Sequence, residues 1–273
     1  MKSELRSRIN RVQSKKNDSK TLLKFAIKKM YILKPYIFEK HPEIIFGFST
    51  KVSAEAKPSY YFNLSYSVGD DKNIVDKNRK DFFESLGLSV ENVGYQRQIH
   101  SDIVQIIECG GDNGASDALI TNKKNLGIAI AVADCTPIFI YDKKNKVIAA
   151  VHSGWKGTEQ KILLKTLNKL HNDFKSNPEN IICYIGPSIS QANYEVGSEV
   201  AELFDNSFSK PIDGKFLLDV SGINYKDLLD FGIPKNQIQK SELCTFEFDS
   251  LLHSYRRDGN LSGRAFGVIA IKG

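Results

Sequence analysis

A cysteine and a histidine frame a polar turn in the middle of the chain, and together they could perform chemistry. An apolar run follows Cys135, a second apolar run ends at His152, and the polar residues 142–145 separate the two. This pattern is typical of a β-hairpin. If the turn centres on Lys143 and Lys144, Cys135 lies directly opposite His152, with Cβ atoms ~4.5–5.5 Å apart. A turn shifted by one residue makes them diagonal neighbours, so both registers place the two side chains on one face.

A thiolate and an imidazole are good ligands for zinc and copper, and they also serve as nucleophile and base in metal-free enzymes. A catalytic zinc takes three protein ligands and leaves its fourth position for water or substrate. His100 is the best third candidate, because His171, His41 and His253 are assigned to a helix flank, a loop and the C-terminal segment. The residues alone leave the site undecided, since a buried cysteine is often only a small apolar side chain.

Two segments with positive charge are candidates for binding substrate or phosphate. Gly154 and Gly157 enclose Lys156 just before a predicted helix, and backbone N–H groups at the start of a helix favour an anion. Arg257 and Arg264 lie in the C-terminal segment, and the guanidinium fork binds phosphate or carboxylate with two hydrogen bonds. Ordinary solvated turns would explain both segments equally well.

The apolar pattern predicts the elements that must position these residues. Apolar residues recur at positions 163, 167, 170 and 174, which share one helix face, so we predict a helix over residues 158–174. Helices and strands that mix without strict alternation favour an α+β fold over a doubly wound one. Further helices are predicted over residues 74–86, 198–206 and 224–231, and strands over residues 43–49, 94–107, 118–121, 127–133, 136–141, 147–152, 181–185 and 266–271.

Composition indicates a globular chain with one core. The 273 residues are 41% hydrophobic and 26% charged, and no Pro-, Gly- or Ser-rich boundary divides them after residue 30. No stretch approaches the ~20 apolar residues of a membrane-spanning helix, and no secretory leader is evident. The four cysteines form no C-x-x-C pair, so reduced thiols are expected. These features predict a soluble, cytoplasmic, single-domain protein with no membrane partner.

The net charge of +6 comes from the N-terminal segment. Residues 1–29 carry ten basic and two acidic residues, a charge of +8, which leaves −2 for residues 30–273. We therefore predict a basic extension over residues 1–29, either disordered or produced by an upstream start codon, and a catalytic domain over residues 30–273. A nearly neutral domain argues against a nucleic-acid partner, because such binding relies on neutralising phosphates.

An ordered series of short motifs runs through most of residues 46–273. The motifs are Phe48-Ser49-Thr50, Val68-Gly69-Asp70-Asp71, Asn78-Arg79, Gln98-Ile99-His100, Asp117-Ala118-Leu119-Ile120-Thr121, Ala133-Asp134-Cys135-Thr136-Pro137, His152-Ser153-Gly154-Trp155-Lys156-Gly157, Gly186-Pro187-Ser188-Ile189, Tyr194-Glu195-Val196, Cys244-Thr245 and Ser254-Tyr255-Arg256-Arg257-Asp258-Gly259. The series resembles the laccase-domain family, also called the multicopper polyphenol oxidase or purine nucleoside phosphorylase family. Three departures are Lys51 after the first motif, Ser101 in place of the usual glycine, and Lys156 where arginine is common.

The resemblance implies one α+β domain with a mixed β-sandwich-like core surrounded by helices. It implies that His100, Cys135 and His152 are catalytic and bind one metal ion, zinc, with copper as an alternative in the same site. The implied activity is phosphorolysis of adenosine, inosine, guanosine and methylthioadenosine, with adenosine deamination alongside. Purine nucleosides and phosphate are the expected partners of a monomer or homodimer.

Two other functions remain open. A full multicopper laccase needs a blue-copper site and a three-copper cluster, for which five histidines are too few, but a single-copper polyphenol oxidase could use the same three ligands. A metal-free hydrolase could use Cys135 as nucleophile and His152 as base. His100 distinguishes these alternatives, because a metal site needs it and a cysteine–histidine pair does not.

Overall fold

The computed structural model describes residues 30–273, and the basic extension predicted over residues 1–29 lies outside the described residues. Fifteen β-strands and seven α-helices form the described part of the chain. The strands are β1 (Ile32–Leu33), β2 (Ile44–Ser49), β3 (Val93–Arg97), β4 (Val104–Ile106), β5 (Gly111–Ala115), β6 (Ala118–Thr121), β7 (Gly127–Val132), β8 (Thr136–Asp142), β9 (Val147–Ser153), β10 (Ile181–Ile185), β11 (Glu195–Val196), β12 (Ser209–Ile212), β13 (Lys215–Leu218), β14 (Ile238–Lys240) and β15 (Ala265–Ile271). The helices are α1 (Tyr36–Glu39), α2 (Lys72–Ser85), α3 (Trp155–Glu159), α4 (Ile162–Phe174), α5 (Ser198–Ala201), α6 (Val220–Asp230) and α7 (Tyr255–Asp258).

Two six-stranded sheets pack face to face and form the core. The first has the order β1-β2-β15-β7-β3-β5 and the second the order β14-β10-β8-β9-β6-β4, with both antiparallel and parallel pairs. Phe46 of the first sheet meets two aromatic rings of the second, with its centroid 4.9 Å from that of Phe139 and 5.5 Å from that of Tyr184. The inner faces therefore close a mixed β-sandwich core, as predicted.

Helices cover the outer faces of both sheets. The apolar stripe of α4 is buried together with Ile138 and Ile140 on the outer face of the second sheet. Phe82 and Phe83 of α2 are buried together with Val268 on the outer face of the first sheet. This arrangement confirms the predicted α+β class with helices around the sandwich. None of the helices in the described part combines the length and the apolarity that crossing a membrane requires.

The turn between β8 and β9 has four residues, 143–146, rather than the two residues of a turn centred on Lys143 and Lys144. Pro137 pairs with His152, so Cys135 is a diagonal neighbour of His152 rather than its direct partner. The direct pairing is therefore wrong, and the shifted register is confirmed. The physical reason lies in Asp142, whose carboxylate accepts backbone N–H groups within the turn and holds residues 143–146 as a four-residue connection.

Three predicted elements are interrupted or shorter in the structure. The strand predicted over residues 94–107 is two strands, β3 and β4, because the loop between them donates its backbone N–H groups to Asp117 rather than to a neighbouring strand. The helix predicted over residues 158–174 is α3 followed by α4, with the left-handed residue Lys161 (φ 63°) between them. The helix predicted over residues 198–206 is the four-residue α5.

Candidate active site

Three side chains that can bind a metal meet at one end of the sandwich. His100 lies in the loop between β3 and β4, Cys135 immediately precedes β8, and His152 lies near the end of β9. Their ligand atoms all lie within 4.8 Å of one another. The Cys135 Sγ is 3.8 Å from the His100 Nε2, and the two imidazole rings have centroids 4.9 Å apart. The structure therefore brings together the three residues that the sequence predicted as ligands.

Asp117 holds both histidine-bearing segments in place. It lies directly before β6 and is fully buried. The His152 Nδ1 donates a 2.8 Å hydrogen bond to its carboxylate, and the His100 backbone N–H donates a 3.1 Å bond to the same oxygen. The other oxygen accepts bonds of 2.7 Å from both the N–H and the hydroxyl of Ser101. Because a carboxylate only accepts, the proton of His152 lies on Nδ1, and Nε2 stays available as a ligand.

The charges of the site shift the pKa values of its groups. Burial raises the pKa of Asp117, but hydrogen bonds from His152 and Ser101 outweigh burial and lower the pKa to about 2. Burial also raises the pKa of Cys135, yet the charge of His152 and a hydrogen bond from His100 lower it overall. Burial lowers the pKa of His152, but the charge of Cys135 and the bond to Asp117 raise it overall. The metal-free site thus favours a thiolate beside an imidazolium, and a bound metal would replace a proton of His152.

The donor set fits a metal ion. One thiolate and two imidazole nitrogens are ligands that zinc and copper accept, and three protein ligands leave a coordination position open. The hydrogen bond between Asp117 and His152 supplies the carboxylate that metal-binding histidines commonly have behind them. The group of His100, Cys135 and His152 could therefore hold a metal ion.

The backbone just before Cys135 is held in an unusual conformation. Asp134 has φ 89°, which is unfavourable for a residue with a Cβ atom. Its carboxylate accepts 2.6 Å hydrogen bonds from the Thr245 hydroxyl and from the backbone N–H of Arg256. These bonds tie the turn to the C-terminal segment, and the fixed turn presents Cys135 to the two histidines.

Gly154 leaves room for the three candidate ligands. A Cβ atom here would lie 3.0 Å from the Cys135 Sγ and 3.2 Å from the His100 Cδ2. We expect Gly154→Ala to push the ligands apart and to weaken metal affinity by about tenfold or more, like loss of an outer-shell partner. Competition with a chelator measures this affinity. Gly69→Ala is the control, because its Cβ atom would meet only the Tyr60 hydroxyl, at 3.1 Å, and equal affinity in both variants would contradict the prediction.

The three candidate ligands line a cavity of about 750 Å³. This volume is typical of small-molecule sites. The wall combines aromatic rings, cations and small polar side chains, so it can contact both a flat ring and an anion. The larger polar residues of the lining are Tyr66, Tyr95, Tyr255, Arg79, Arg97 and Arg264.

The three cations predicted to bind phosphate lie in different surroundings. Arg264 lines the cavity, with its guanidinium 5.4 Å from the ring centroid of Tyr255. Arg257 lies outside the lining and donates to three backbone carbonyls and to the carboxylate of Asp258. Lys156 is exposed, also outside the lining. Of these three cations, the structure therefore places only Arg264 in the same cavity as the candidate metal ligands, and phosphate binding by these residues stays a prediction.

Three further residues of the site were not among the predicted site residues. Asp117 and Arg79 lie in short motifs that the sequence displays, but nothing in those motifs tells which group each side chain contacts. Gln96 has no such signal. It is buried, it lines the cavity, and within the described part of the chain neither atom of its amide has a hydrogen-bond partner.

The chain matches known proteins along most of its length. Residues 45–272 match the family model described as multi-copper polyphenol oxidoreductase laccase. A purine nucleoside phosphorylase of Clostridium acetobutylicum is 38% identical over 217 residues, which cover 77% of this chain and 87% of the relative. The purine nucleoside phosphorylase YlmD of Bacillus subtilis is 31% identical over 253 residues, which cover 86% of this chain and 91% of the relative.

Solved structures share the fold. The hypothetical protein YfiH of Bacillus licheniformis superposes with a TM-score of 0.83 at 28% identity, over 90% of this chain and 97% of that one. YlmD from Geobacillus stearothermophilus superposes with a TM-score of 0.80 at 25% identity, over 85% and 93% of the two chains. These similarities confirm the resemblance inferred from the motifs. The chain belongs to the multi-copper polyphenol oxidoreductase laccase family.

Proposed function

We propose that this protein is a zinc-dependent purine nucleoside phosphorylase that acts on adenosine, inosine, guanosine and methylthioadenosine and also deaminates adenosine. The observation that carries the proposal is the group of His100, Cys135 and His152, which lines a cavity of about 750 Å³. The relatives named purine nucleoside phosphorylase supply the substrate class, because they match this chain over most of its length. A cytoplasmic location is part of the proposal, since the Cys135 thiol must stay reduced to act as a ligand.

His100, Cys135 and His152 would hold the zinc ion, which when bound supplies a Lewis acid and lowers the pKa of a coordinated water molecule. The chain itself supplies orientation. Asp117 keeps the proton of His152 on Nδ1, away from the other candidate ligands. Tyr255 lines the cavity and is 50% exposed, so it offers a ring face against which a purine base can pack. A nucleoside held beside the metal site reacts as part of one complex rather than in a chance encounter.

A metal-free hydrolase is the second candidate function, and one observation favours it. His152 bonds to Asp117 on one side, and on the other it favours the thiolate form of Cys135. The three residues therefore form a nucleophile, a base and an orienting acid in series, as in cysteine hydrolases. A single copper ion acting in polyphenol oxidation is a third candidate, because the same donor set accepts copper.

Metal content and phosphate dependence, measured on one preparation, test the proposal. We expect about one zinc ion per chain, release of free purine base from nucleosides only when phosphate is present, and conversion of adenosine to inosine without phosphate. Copper in place of zinc, together with oxygen consumption on a phenol, would favour the oxidase. Full activity in a preparation stripped of metal would favour the hydrolase.

Gln96 is a candidate for reading the purine base. Both amide atoms are buried and have no partner within the described residues, so the side chain must turn towards the cavity to meet a ligand. Turned in this way, the amide offers a donor and an acceptor side by side, which matches a purine edge. Gln96→Met keeps the length and removes both polar atoms. We expect KM for nucleosides to rise about tenfold or more, while the free energy of unfolding stays equal or increases. Steady-state kinetics and urea unfolding measure the two quantities, and a less stable variant with unchanged KM would contradict the assignment.

A further inference from the structure

Arg79 is a buried arginine in the wall of the cavity. It lies in α2, is 4% exposed and lines the cavity. Its Nε donates a 2.7 Å hydrogen bond to the carbonyl of Leu64. The centre of its guanidinium lies 3.9 Å from the ring centroid of Tyr66 and 4.3 Å from that of Tyr95. The guanidinium is therefore fixed in position before any ligand binds.

No carboxylate forms a salt bridge with this cation within the described part of the chain. Asp76, on the same helix, acts on the guanidinium through its charge, but its carboxylate accepts a hydrogen bond from the Tyr66 hydroxyl. Asp112 also lines the cavity, but it is exposed and accepts a hydrogen bond from the Gly114 N–H. Burial lowers the pKa of Arg79, yet a guanidinium stays charged at neutral pH. Because a buried charge without a direct ion pair is unfavourable, an anionic ligand would complete this part of the cavity.

Two hydroxyl groups lie in the same wall. Ser65 and Ser67 flank Tyr66 in the loop before α2, and both line the cavity. Their hydroxyl oxygens are 2.8 Å apart. A guanidinium fork with hydroxyl groups is a donor combination that suits the oxygens of phosphate, since it provides several hydrogen bonds and a positive charge.

The three cations predicted from the sequence to bind phosphate are less suited to this role. Lys156 is exposed, outside the cavity lining. Arg257 uses its terminal nitrogens for carbonyl groups and for Asp258. Arg264 lines the cavity, but one of its terminal nitrogens is bound to the carbonyls of residues 262 and 263. The terminal nitrogens of Arg79 meet no carbonyl and no carboxylate among the described residues.

We propose that Arg79, with Ser65 and Ser67, forms the phosphate site of this cavity, and that its ligand is a tetrahedral phosphate oxyanion. As a site for the cosubstrate, it rests on the proposed phosphorolysis. The binding of phosphate itself does not depend on that reaction, so the two can be tested separately.

Isothermal titration of the full-length protein with inorganic phosphate tests the site. We expect saturable binding by the wild type, affinity about tenfold weaker in Arg79→Lys, which keeps the charge but not the fork, and no saturable binding in Arg79→Met. Lys80→Met is the matched control, because Lys80 is an exposed cation on the same helix, and its affinity should stay within about twofold. Thermal unfolding shows which variants are folded. If Arg79→Met does not fold, the comparison between the wild type and Arg79→Lys decides the test.

Two binding results would overturn the assignment. One is wild-type phosphate affinity in Arg79→Lys and in any folded Arg79→Met. The other is loss of binding in Lys156→Met while both Arg79 variants retain it. Phosphorolysis with an unchanged KM for phosphate in Arg79→Lys would also reject the Arg79 site while leaving the proposed function intact. Arg79-dependent phosphate binding without phosphorolysis would support the site and reject the function.

Inorganic phosphate and the phosphoester of a nucleotide share this chemistry, and a second pair of titrations separates them. Phosphate is titrated with and without saturating adenosine, and adenosine 5′-monophosphate is titrated alone. Phosphate binding that persists beside adenosine supports a site for inorganic phosphate next to the nucleoside. Mutual exclusion, together with Arg79-dependent binding of the monophosphate, supports a site for the phosphoester.

Discussion

His100→Ala is expected to remove both the bound metal and the activity. Only Cys135 and His152 would remain, and two protein ligands fall short of the three that catalytic zinc sites use. We expect metal content to fall from about one ion per chain to near zero. The kcat/KM for nucleosides should fall by well over ~100-fold, because loss of an outer-shell partner alone costs ~10–100-fold. Elemental analysis and phosphate-dependent release of purine base measure both quantities on one preparation.

A second histidine and the site cysteine provide the comparisons. His171→Ala is the control, because His171 lies outside the cavity lining. It is part of α4, and its Nδ1 is hydrogen-bonded to the carbonyl of Ser176 in the turn that follows the helix. A metal-free enzyme that uses Cys135 with His152 would keep most of its activity in His100→Ala and lose it in Cys135→Ala. That pair of results would reject the metal-dependent proposal.

The position of Cys135 and His152 on one face of the hairpin follows from local pattern, whereas the place of His100 does not. Two apolar runs around a polar turn predict a hairpin, and either register of that hairpin places the two side chains on the same face. The β-branched and aromatic residues of the segment predict one strand over residues 94–107. In the structure, however, His100 lies in a loop, with φ 58°. The loop forms because Asp117, 17 residues further along the chain, accepts its N–H groups. A contact between residues so far apart in the chain cannot be predicted from the sequence around His100.

Two of the shorter predicted helices are present in the structure. The helices predicted over residues 74–86 and 224–231 correspond to α2 and α6, which begin two and four residues earlier than predicted and each end one residue earlier. The third sheet, of β11, β13 and β12, was not predicted. Its strands have only two to four residues, which is too short for an alternation of apolar and polar residues to appear.

The cations show why burial limits prediction from sequence. Arg79 and Arg257 have the same side chain, and each follows a polar or charged neighbour in the chain. In the structure, Arg257 binds backbone carbonyls, while Arg79 packs against tyrosine rings in the cavity wall. Which guanidinium is available to a ligand depends on packing between distant segments, and that packing appears only in three dimensions.

Asp117→Asn is expected to weaken the metal site while nearly preserving its shape. An amide has almost the size of a carboxylate, but one of its ends donates, and the carboxylate of Asp117 accepts from both His152 and Ser101. An amide nitrogen facing the His152 Nδ1 requires that atom to be unprotonated, which moves the proton to Nε2, the atom needed as a ligand. We expect metal affinity to fall ~10–100-fold. Chelator competition measures the loss.

The same substitution should also change stability in a pH-dependent way, measured by urea unfolding of metal-free protein. Folding lowers the pKa of Asp117 from 3.8 to about 2. The charged carboxylate therefore stabilises the fold fully above pH 3.8, and this contribution is lost as the pH falls through about 2. Asparagine does not titrate, so the gap in unfolding free energy between wild type and variant should be constant between about pH 5 and pH 6 and narrow below about pH 4. Above about pH 6.5 the gap should also narrow, because the bond to Asp117 raises the pKa of His152 and the stability from that bond is lost as His152 loses its proton. A gap that stays constant down to about pH 3, with wild-type metal affinity, would show that Asp117 does not act through its charge.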